Sequence, residues 1–199
     1  MLTFDAAEHR YFWQGQEVPS VTRVLAPLIA DFLALVPPDV LERKRAIGQA
    51  VHAAIALDIA DDLDETTVDP ACVGYVEAWR KFKAEASLKQ DDFGAVEKPL
   101  YHDAWHYAGT PDMEVRLGKW AVVDTKCSYG LHPAVGPQLA AYRELINRRG
   151  GDGRGICALN YALHLKPDGT YRLEQFTDKT DLEVFRSCLA IHHWKANNL

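Results

Sequence analysis

The chain has 199 residues, 48% of them hydrophobic, and a formal net charge of −6. That length suits one domain with a sizeable core, and the acidic balance argues against a general polyanion binder. No apolar run reaches the ~18 residues of a membrane span, the N-terminus lacks a basic start followed by an apolar stretch, and four cysteines lie scattered without a C-x-x-C pair. A cytoplasmic protein in a reducing compartment, with no membrane partner, is therefore expected.

In chain order, Tyr11-Phe12-Trp13 and Gln16-Glu17-Val18 flank Gln14-Gly15, a hairpin signal. The three adjacent aromatics suit edge packing better than base stacking. Ser20 is a good N-cap for a helix reaching about Leu35, before Pro37-Pro38. A second helix is predicted over 38–60. Gly48 and His52 lie four apart on it and share a face. Glycine inside a helix costs ~1 kcal/mol relative to alanine, which points to close packing beside His52. Arg43-Lys44-Arg45 lies just upstream, placed to meet a polyanion. The acidic run over 58–65 reads as a loop on another side of the molecule. Asp69-Pro70 starts a further helix with Tyr75, Trp79 and Phe82 on one stripe. The cations Arg80, Lys81, Lys83, Arg143, Arg148 and Arg149 read as solvated helix faces.

The chemistry concentrates in the middle. Residues 94–101 read as a strand that turns near His102-Asp103-Ala104 into Trp105-His106-Tyr107-Ala108, which sets Glu97 opposite Gly109. Met113, Val115 and Leu117 then alternate with Asp112, Glu114 and Arg116, so Asp112 lies on a polar strand face. Gly118-Lys119 turns the chain into Trp120-Ala121-Val122-Val123, a short apolar run that suits a buried strand. Asp124 and Lys126 stand two apart at its C-terminal end and point to one face. A two-residue loop at 118–119 would pair Leu117 with Trp120 and turn Asp112 away from Asp124. A three-residue loop, Leu117-Gly118-Lys119, would set the two acids opposite each other. An anion and a cation at the end of a buried strand are costly unless they pair or bind something. Carboxylates with a lysine suit a hard cation and a phosphate, although an isolated Asp-x-Lys is also what a solvated strand end looks like.

Downstream, Gly136-Pro137 starts a helix with Pro at its first position. Gln138 and Tyr142 share a face of it, and Tyr142 by itself reads as core beside Leu139, Leu145 and Ile146. A strand is predicted over 155–165. Lys166-Pro167-Asp168-Gly169 turns it into a strand over 171–176. A last helix from about Thr180 buries Leu182, Phe185, Leu189 and Trp194. His192-His193 has no spaced partner and is not read as a metal site, and Cys127, beside Lys126, reads as a core thiol.

Taken together, Gly48-x-x-x-His52, Glu97, Gly109-Thr110-Pro111-Asp112, Asp124-Thr125-Lys126 and Gln138-Leu139-x-x-Tyr142 resemble, in order and spacing, the PD-(D/E)XK nuclease superfamily, in particular its RecB-like and phage-type exonuclease branch. The opening from Phe4-Asp5 through Tyr11 to Val18-Pro19-Ser20-Val21-Thr22 also looks like the N-terminal segment of small phage-type members. The resemblance spans nearly the whole chain. It implies an α/β fold in which a central mixed β-sheet is flanked by helices, a restriction-endonuclease-like core with a small N-terminal β-hairpin. The expected organisation is a single nuclease domain over 1–199, with the hairpin and first helix in 1–36, the catalytic core in 37–165 and a C-terminal strand and helix in 166–199.

The function so implied is Mg2+- or Mn2+-dependent hydrolysis of phosphodiester bonds in DNA, single-stranded or duplex with an end, in phage or prophage recombination and repair. Asp112 and Asp124 would be metal ligands, joined by Glu97, His52 and the Thr125 backbone carbonyl. Lys126 would position or activate the attacking water, and Gln138 and Tyr142 would orient Lys126 or the nucleic acid. Arg43, Lys44 and Arg45 would guide the backbone. A homo-oligomer and a recombination partner protein are further expectations of the resemblance. Some relatives hold an iron–sulfur cluster on four cysteines, three of them close together near the C-terminus. Cys72, Cys127, Cys157 and Cys188 do not match that arrangement, and no cluster is expected. An endonuclease of the same superfamily and a catalytically silent DNA-binding or assembly subunit are the rival readings.

Overall fold

The structure is a computed structural model that describes residues 1–6, 8–149 and 155–199. The chain opens on a three-stranded antiparallel sheet, β1 (Leu2–Asp5), β2 (Arg10–Trp13) and β3 (Gln16–Val18). The expected hairpin is β2–β3. Strand β1 is added because Leu2 and Phe4 alternate with polar residues and pack on the small cluster around Tyr11, Val18 and Ala108. Helix α1 (Val21–Ala34) starts at Ser20, whose side chain accepts the Arg23 N–H at 3.1 Å. Such a cap contributes about 1 kcal/mol.

Helix α2 (Pro38–Ile59) carries Gly48 and His52, and helix α3 (Val73–Glu85) buries Tyr75, Trp79 and Phe82. The latter begins three residues after Pro70, because Asp69 spends its carboxylate on the Ala71 N–H at 2.7 Å in a turn that precedes the helix. Strands β4 (Phe93–Val96), β5 (Leu100–His102), β6 (Tyr107–Gly109), β7 (Met113–Leu117) and β8 (Lys119–Lys126) follow, then helix α4 (Val135–Arg148), β9 (Leu159–Leu165), β10 (Tyr171–Gln175) and α5 (Asp181–Asn198).

Five strands form a mixed sheet in the order β10-β9-β8-β7-β4, with β8 and β9 parallel and the other neighbours antiparallel. Helices cover both faces. Val122 and Ala162 pack with α1, α4 and α5 through Leu25, Leu139, Leu145 and Phe185. Ala121, Val123, Val115 and Leu163 pack with α2 and α3 through Val51, Ile55, Trp79 and Phe82. Alternation along β8 therefore directs Asp124 and Lys126 to the α4 side and Thr125 to the α2 side. Among the described residues no helix is long and apolar enough to cross a membrane.

Several expectations are corrected. The 94–101 segment is two strands in different sheets, interrupted at Glu97, which has φ +44°, and at Pro99, which has no N–H for a ladder. Leu100, not Glu97, faces Gly109. Strand β9 begins at Leu159 rather than at 155. Helix α4 begins at Val135, so Pro137 occupies its third position, still inside the first turn where the missing N–H costs nothing. Leu182 is half-buried and Trp194 is 60% exposed, because α5 rests on α1 and α4 mainly through Phe185 and Leu189. The acidic run is not all loop. Asp58 lies in α2 with its side chain only 10% exposed, accepting from Trp79 Nε1 at 2.8 Å, Arg80 Nε at 2.9 Å and Lys83 Nζ at 3.1 Å. Arg80 and Lys83 thus tie α3 to α2. Arg149 reaches the buried Glu114 carboxylate at 2.8 Å, and Arg148 pairs with Asp103.

Candidate functional site

The β7–β8 hairpin decides the geometry. Leu117 pairs with Lys119 across Gly118 alone, and Met113 pairs with Val123. This is the register that sets Asp112 against Asp124. Gly118 supplies the required left-handed residue at φ +74°.

Asp112 sits between the two elements that matter. Its Oδ2 accepts the Thr125 N–H at 2.6 Å, and its Oδ1 stands 3.3 Å from His52 Nδ1. Its backbone carbonyl accepts the Glu97 N–H at 2.9 Å, which holds Glu97 beside it after the β4 strand ends. Glu97 Oε1 lies 3.5 Å from the same His52 Nδ1, and His52 Nε2 lies 3.2 Å from the Thr125 carbonyl. His52, Glu97 and Asp112 each offer a ligand atom, and these atoms lie within 4.8 Å of one another.

Lys126 stands on the other side of β8. Its Nζ is 2.5 Å from Asp124 Oδ2 and donates to Gln138 Oε1 at 3.0 Å. Gln138 Nε2 donates to Tyr142 OH at 3.3 Å. Tyr142 is buried and fills the space that Gly109 leaves. A Cβ at Gly109 would come within 2.8 Å of the Tyr142 ring, so this glycine makes room for Tyr142 and not for Glu97.

The electrostatics follow from burial and crowding. Burial would lower the His52 pKa, but the Asp112 and Glu97 carboxylates outweigh it and hold the imidazole well above 6.5. Burial would raise Asp112, yet His52, Lys126 and the Thr125 N–H keep it below its ordinary value. Burial pushes Asp124 up to about 6, with Asp112 adding to the rise and Lys126 opposing it. Burial works against the charged form of Lys126, and the carboxylates of Asp124 and Asp112 more than compensate, so the ammonium is held charged.

The structure thus brings His52, Glu97, Asp112, Asp124, Thr125, Lys126, Gln138 and Tyr142 to one strand end. It does not bring Arg43, Lys44 and Arg45 into the cluster. All three are exposed on α2, about two helical turns or ~12 Å before His52. The close packing expected at Gly48 is absent, since a Cβ there would meet nothing within 4 Å. The glycine leaves open space one turn from His52. Sequence reasoning missed one feature of the surroundings. The segment after Lys126, Ser128-Tyr129-Gly130-Leu131-His132-Pro133, packs toward α1 and forms a cavity wall beside the lysine. Its turn-rich composition was readable, but its meeting with α1 is a long-range contact.

No protein-family model matches the chain, and no curated protein matches it by sequence. Among solved structures it is similar to LHK-Exo in complex with dAMP, at 12% identity and a TM-score of 0.48 over 90% of this chain and 89% of that one. It is also similar to SSO0001, at 15% identity and a TM-score of 0.35 over 88% and 85% of the two chains.

Proposed function

We propose that the chain is a divalent-metal-dependent deoxyribonuclease that hydrolyses phosphodiester bonds from a DNA end. The observation that supports it most is the clustering of His52, Glu97 and Asp112 within 4.8 Å, with the Asp124–Lys126 pair at the same strand end. The donor set fits Mg2+ or Mn2+: carboxylates and a backbone carbonyl are hard oxygen ligands, and they crowd one strand end, where burial, with Asp112 adding to it, raises Asp124 to about 6 despite Lys126. His52, Glu97 and Asp112, joined by Asp124 and the Thr125 carbonyl, would hold the ion, which when bound lowers the pKa of an attacking water and neutralises phosphate oxygens.

The chain's own residues supply the rest. The Asp124 and Asp112 carboxylates favour the charged form of Lys126, which suits it to position the attacking water and to meet developing charge through its N–H donors. Asp124 and Gln138 fix the ammonium, and Tyr142 fixes Gln138, so the charge is placed before the phosphate arrives. Asp112 locks β7 to β8 through the Thr125 N–H while its other oxygen faces His52. The end requirement, and a setting in phage-type recombination or repair, follow the family resemblance.

End-labelled single- and double-stranded DNA, linear and circular, incubated with Mg2+, Mn2+ or EDTA, tests the reading. Metal-dependent loss of label from linear DNA is expected. Rapid nicking of closed circles would favour the endonuclease reading, and binding without cleavage in either metal would favour a silent DNA-binding subunit.

A further inference from the structure

Lys126 has two neighbourhoods. On one side of β8 stands the acidic cluster with His52. On the other, Lys126 and Gln138 form part of the wall of a cavity of about 440 Å3 between α1 and residues 128–135. The opposite wall is apolar, with Leu25, Ile29 and Phe32 from α1 and Leu131 from the connection. The volume lies within the range of small-molecule sites, which combine apolar walls with a few polar groups.

The charge on this wall is informative. Among the described residues that line the cavity none is acidic, and Lys126 carries the one full charge, in a chain whose net charge is −6. That ammonium is already paired with Asp124 at 2.5 Å, so the space beside it suits a neutral ring system. Aromatic surface is available as well. Phe32 is 53% exposed, with its ring centroid 5.4 Å from that of His132. Tyr129 is 99% exposed, with Lys166 Nζ 5.9 Å from its ring centroid. The connection that presents Tyr129 and His132 is fastened. Lys166 donates to the Tyr129 carbonyl at 3.0 Å, and His164 Nε2 lies 2.6 Å from the Ser128 carbonyl.

We propose that this cavity takes the unpaired nucleobase of the nucleotide whose phosphate lies at Lys126. The inference rests on the nuclease reading and extends it to substrate choice. A phosphate held between the acidic cluster and the ammonium has its attached nucleoside directed either along β8 or into the apolar space beside it. That space offers the rings of Phe32, Tyr129 and His132 to stack on, and base–aromatic stacking tolerates any sequence because every base has a π-face. A base still paired in a duplex cannot reach a cavity of this kind without leaving the stack. The preferred substrate is therefore single-stranded DNA or a frayed end, and a fully paired blunt end is slower.

The test compares intact oligonucleotides with ones that carry an abasic residue at the terminal or the penultimate nucleotide, all single-stranded and in Mn2+. An abasic residue at the bound position should slow the parent by about 5- to 150-fold, the worth of one stacked base. Phe32→Ala should slow cleavage of the intact strand by a similar factor and become indifferent to the abasic residue. Gly130→Trp should do the same by filling the space, since a Cβ at Gly130 meets nothing within 4 Å. Both variants should keep the parent's Mn2+ affinity and melting temperature; if either fails to fold, the abasic comparison on the parent decides alone. Equal cleavage of intact and abasic strands would overturn the proposal and leave the nuclease reading standing. No cleavage of any DNA in Mg2+ or Mn2+ would remove the nuclease reading, and this inference with it. Indifference to the abasic residue together with a dimer that Gly130→Trp dissociates would make a second copy of the chain the occupant, and would also overturn it.

Discussion

Asp112 accepts the Thr125 N–H through one carboxylate oxygen at 2.6 Å and faces His52 Nδ1 through the other at 3.3 Å. One side chain thus fastens β7 to β8 and sets a charge against α2. The two tasks separate in variants. Asp112→Asn keeps an oxygen for the Thr125 N–H but loses the charge, so the protein should fold while Mn2+ affinity drops at least tenfold. Asp112→Ala should also cost about 1–3 kcal/mol of stability, because a buried N–H is left unpaired. Titration calorimetry with Mn2+ and urea unfolding measure the two effects. Unchanged Mn2+ affinity in Asp112→Asn would remove Asp112 from the ligand set.

Lys126 is expected to matter for cleavage and not for metal capture. Lys126→Ala should abolish hydrolysis of end-labelled DNA while leaving Mn2+ binding largely intact. Lys126→Arg should not rescue it, since a planar fork bonded to Asp124 and Gln138 cannot replace a compact ammonium. Parent-level cleavage by the alanine variant would reject the role.

Protons and metal compete at this site, and the directions are fixed. The His52 pKa is raised above 6.5 in the folded protein, so its contribution to stability is complete below about 6.5 and is lost as pH rises through the folded value. Asp124, raised from 3.8 to about 6, favours its protonated form in the folded protein, and that contribution also fades as pH rises between those values. Asp112 is lowered, and its contribution is present above 3.8 and lost as pH falls through the folded value. In EDTA the melting temperature should therefore decline as pH rises from about 5 to about 8. Mn2+ should raise it most at the upper end, with protons released on binding. A metal-induced shift that is flat across this interval would contradict the assignment.

Arg43, Lys44 and Arg45 are exposed and project from α2 upstream of His52, with Arg45 3.8 Å from Glu42. Replacing all three by glutamine should weaken DNA binding and reduce the slope of log K against log salt by up to about 2–3, since each neutralised phosphate contributes about 0.7–0.9. Closed circular DNA should resist the parent protein throughout. An unchanged salt slope would place the DNA backbone elsewhere.

Asp58 supplies a contrast far from the chemistry. Its carboxylate accepts bonds from Trp79, Arg80 and Lys83 and ties α2 to α3. Asp58→Ala should lower stability by about 2 kcal/mol in urea unfolding, with cleavage unchanged under conditions where the protein is folded. A fall in cleavage rate at full folding would show that the α2–α3 contact also sets the position of His52.

The residue pattern is enough to place many of the candidate residues on their strands and helices, because local rules govern those positions. Period-two alternation placed β7 and β8, the two-residue spacing put Asp124 and Lys126 on one face, and four-residue spacing joined Gln138 to Tyr142. Ser20 fixed the start of α1 by a cap that acts over three residues.

What the residues left open were the choices made by distant partners. Two hairpin registers are compatible with the pattern, and pairing of Leu117 with Lys119 selects the one that sets Asp112 across from Asp124. Glu97 was placed against Gly109 on the assumption of a continuous strand. The break at Glu97 and Pro99 instead sends β4 to β7 and β5 to β6, and Glu97 reaches His52 through its bond to the Asp112 backbone. Gly48 read as a packing residue and turned out to border open space, since nothing within α2 tells which helix face meets a neighbour. Spacing along one strand or helix turn is a property of the chain itself. Register between strands, and the cavity between α1 and the residues after Lys126, depend on contacts between segments separated by many residues, which only the packed sheet and its two helical layers decide.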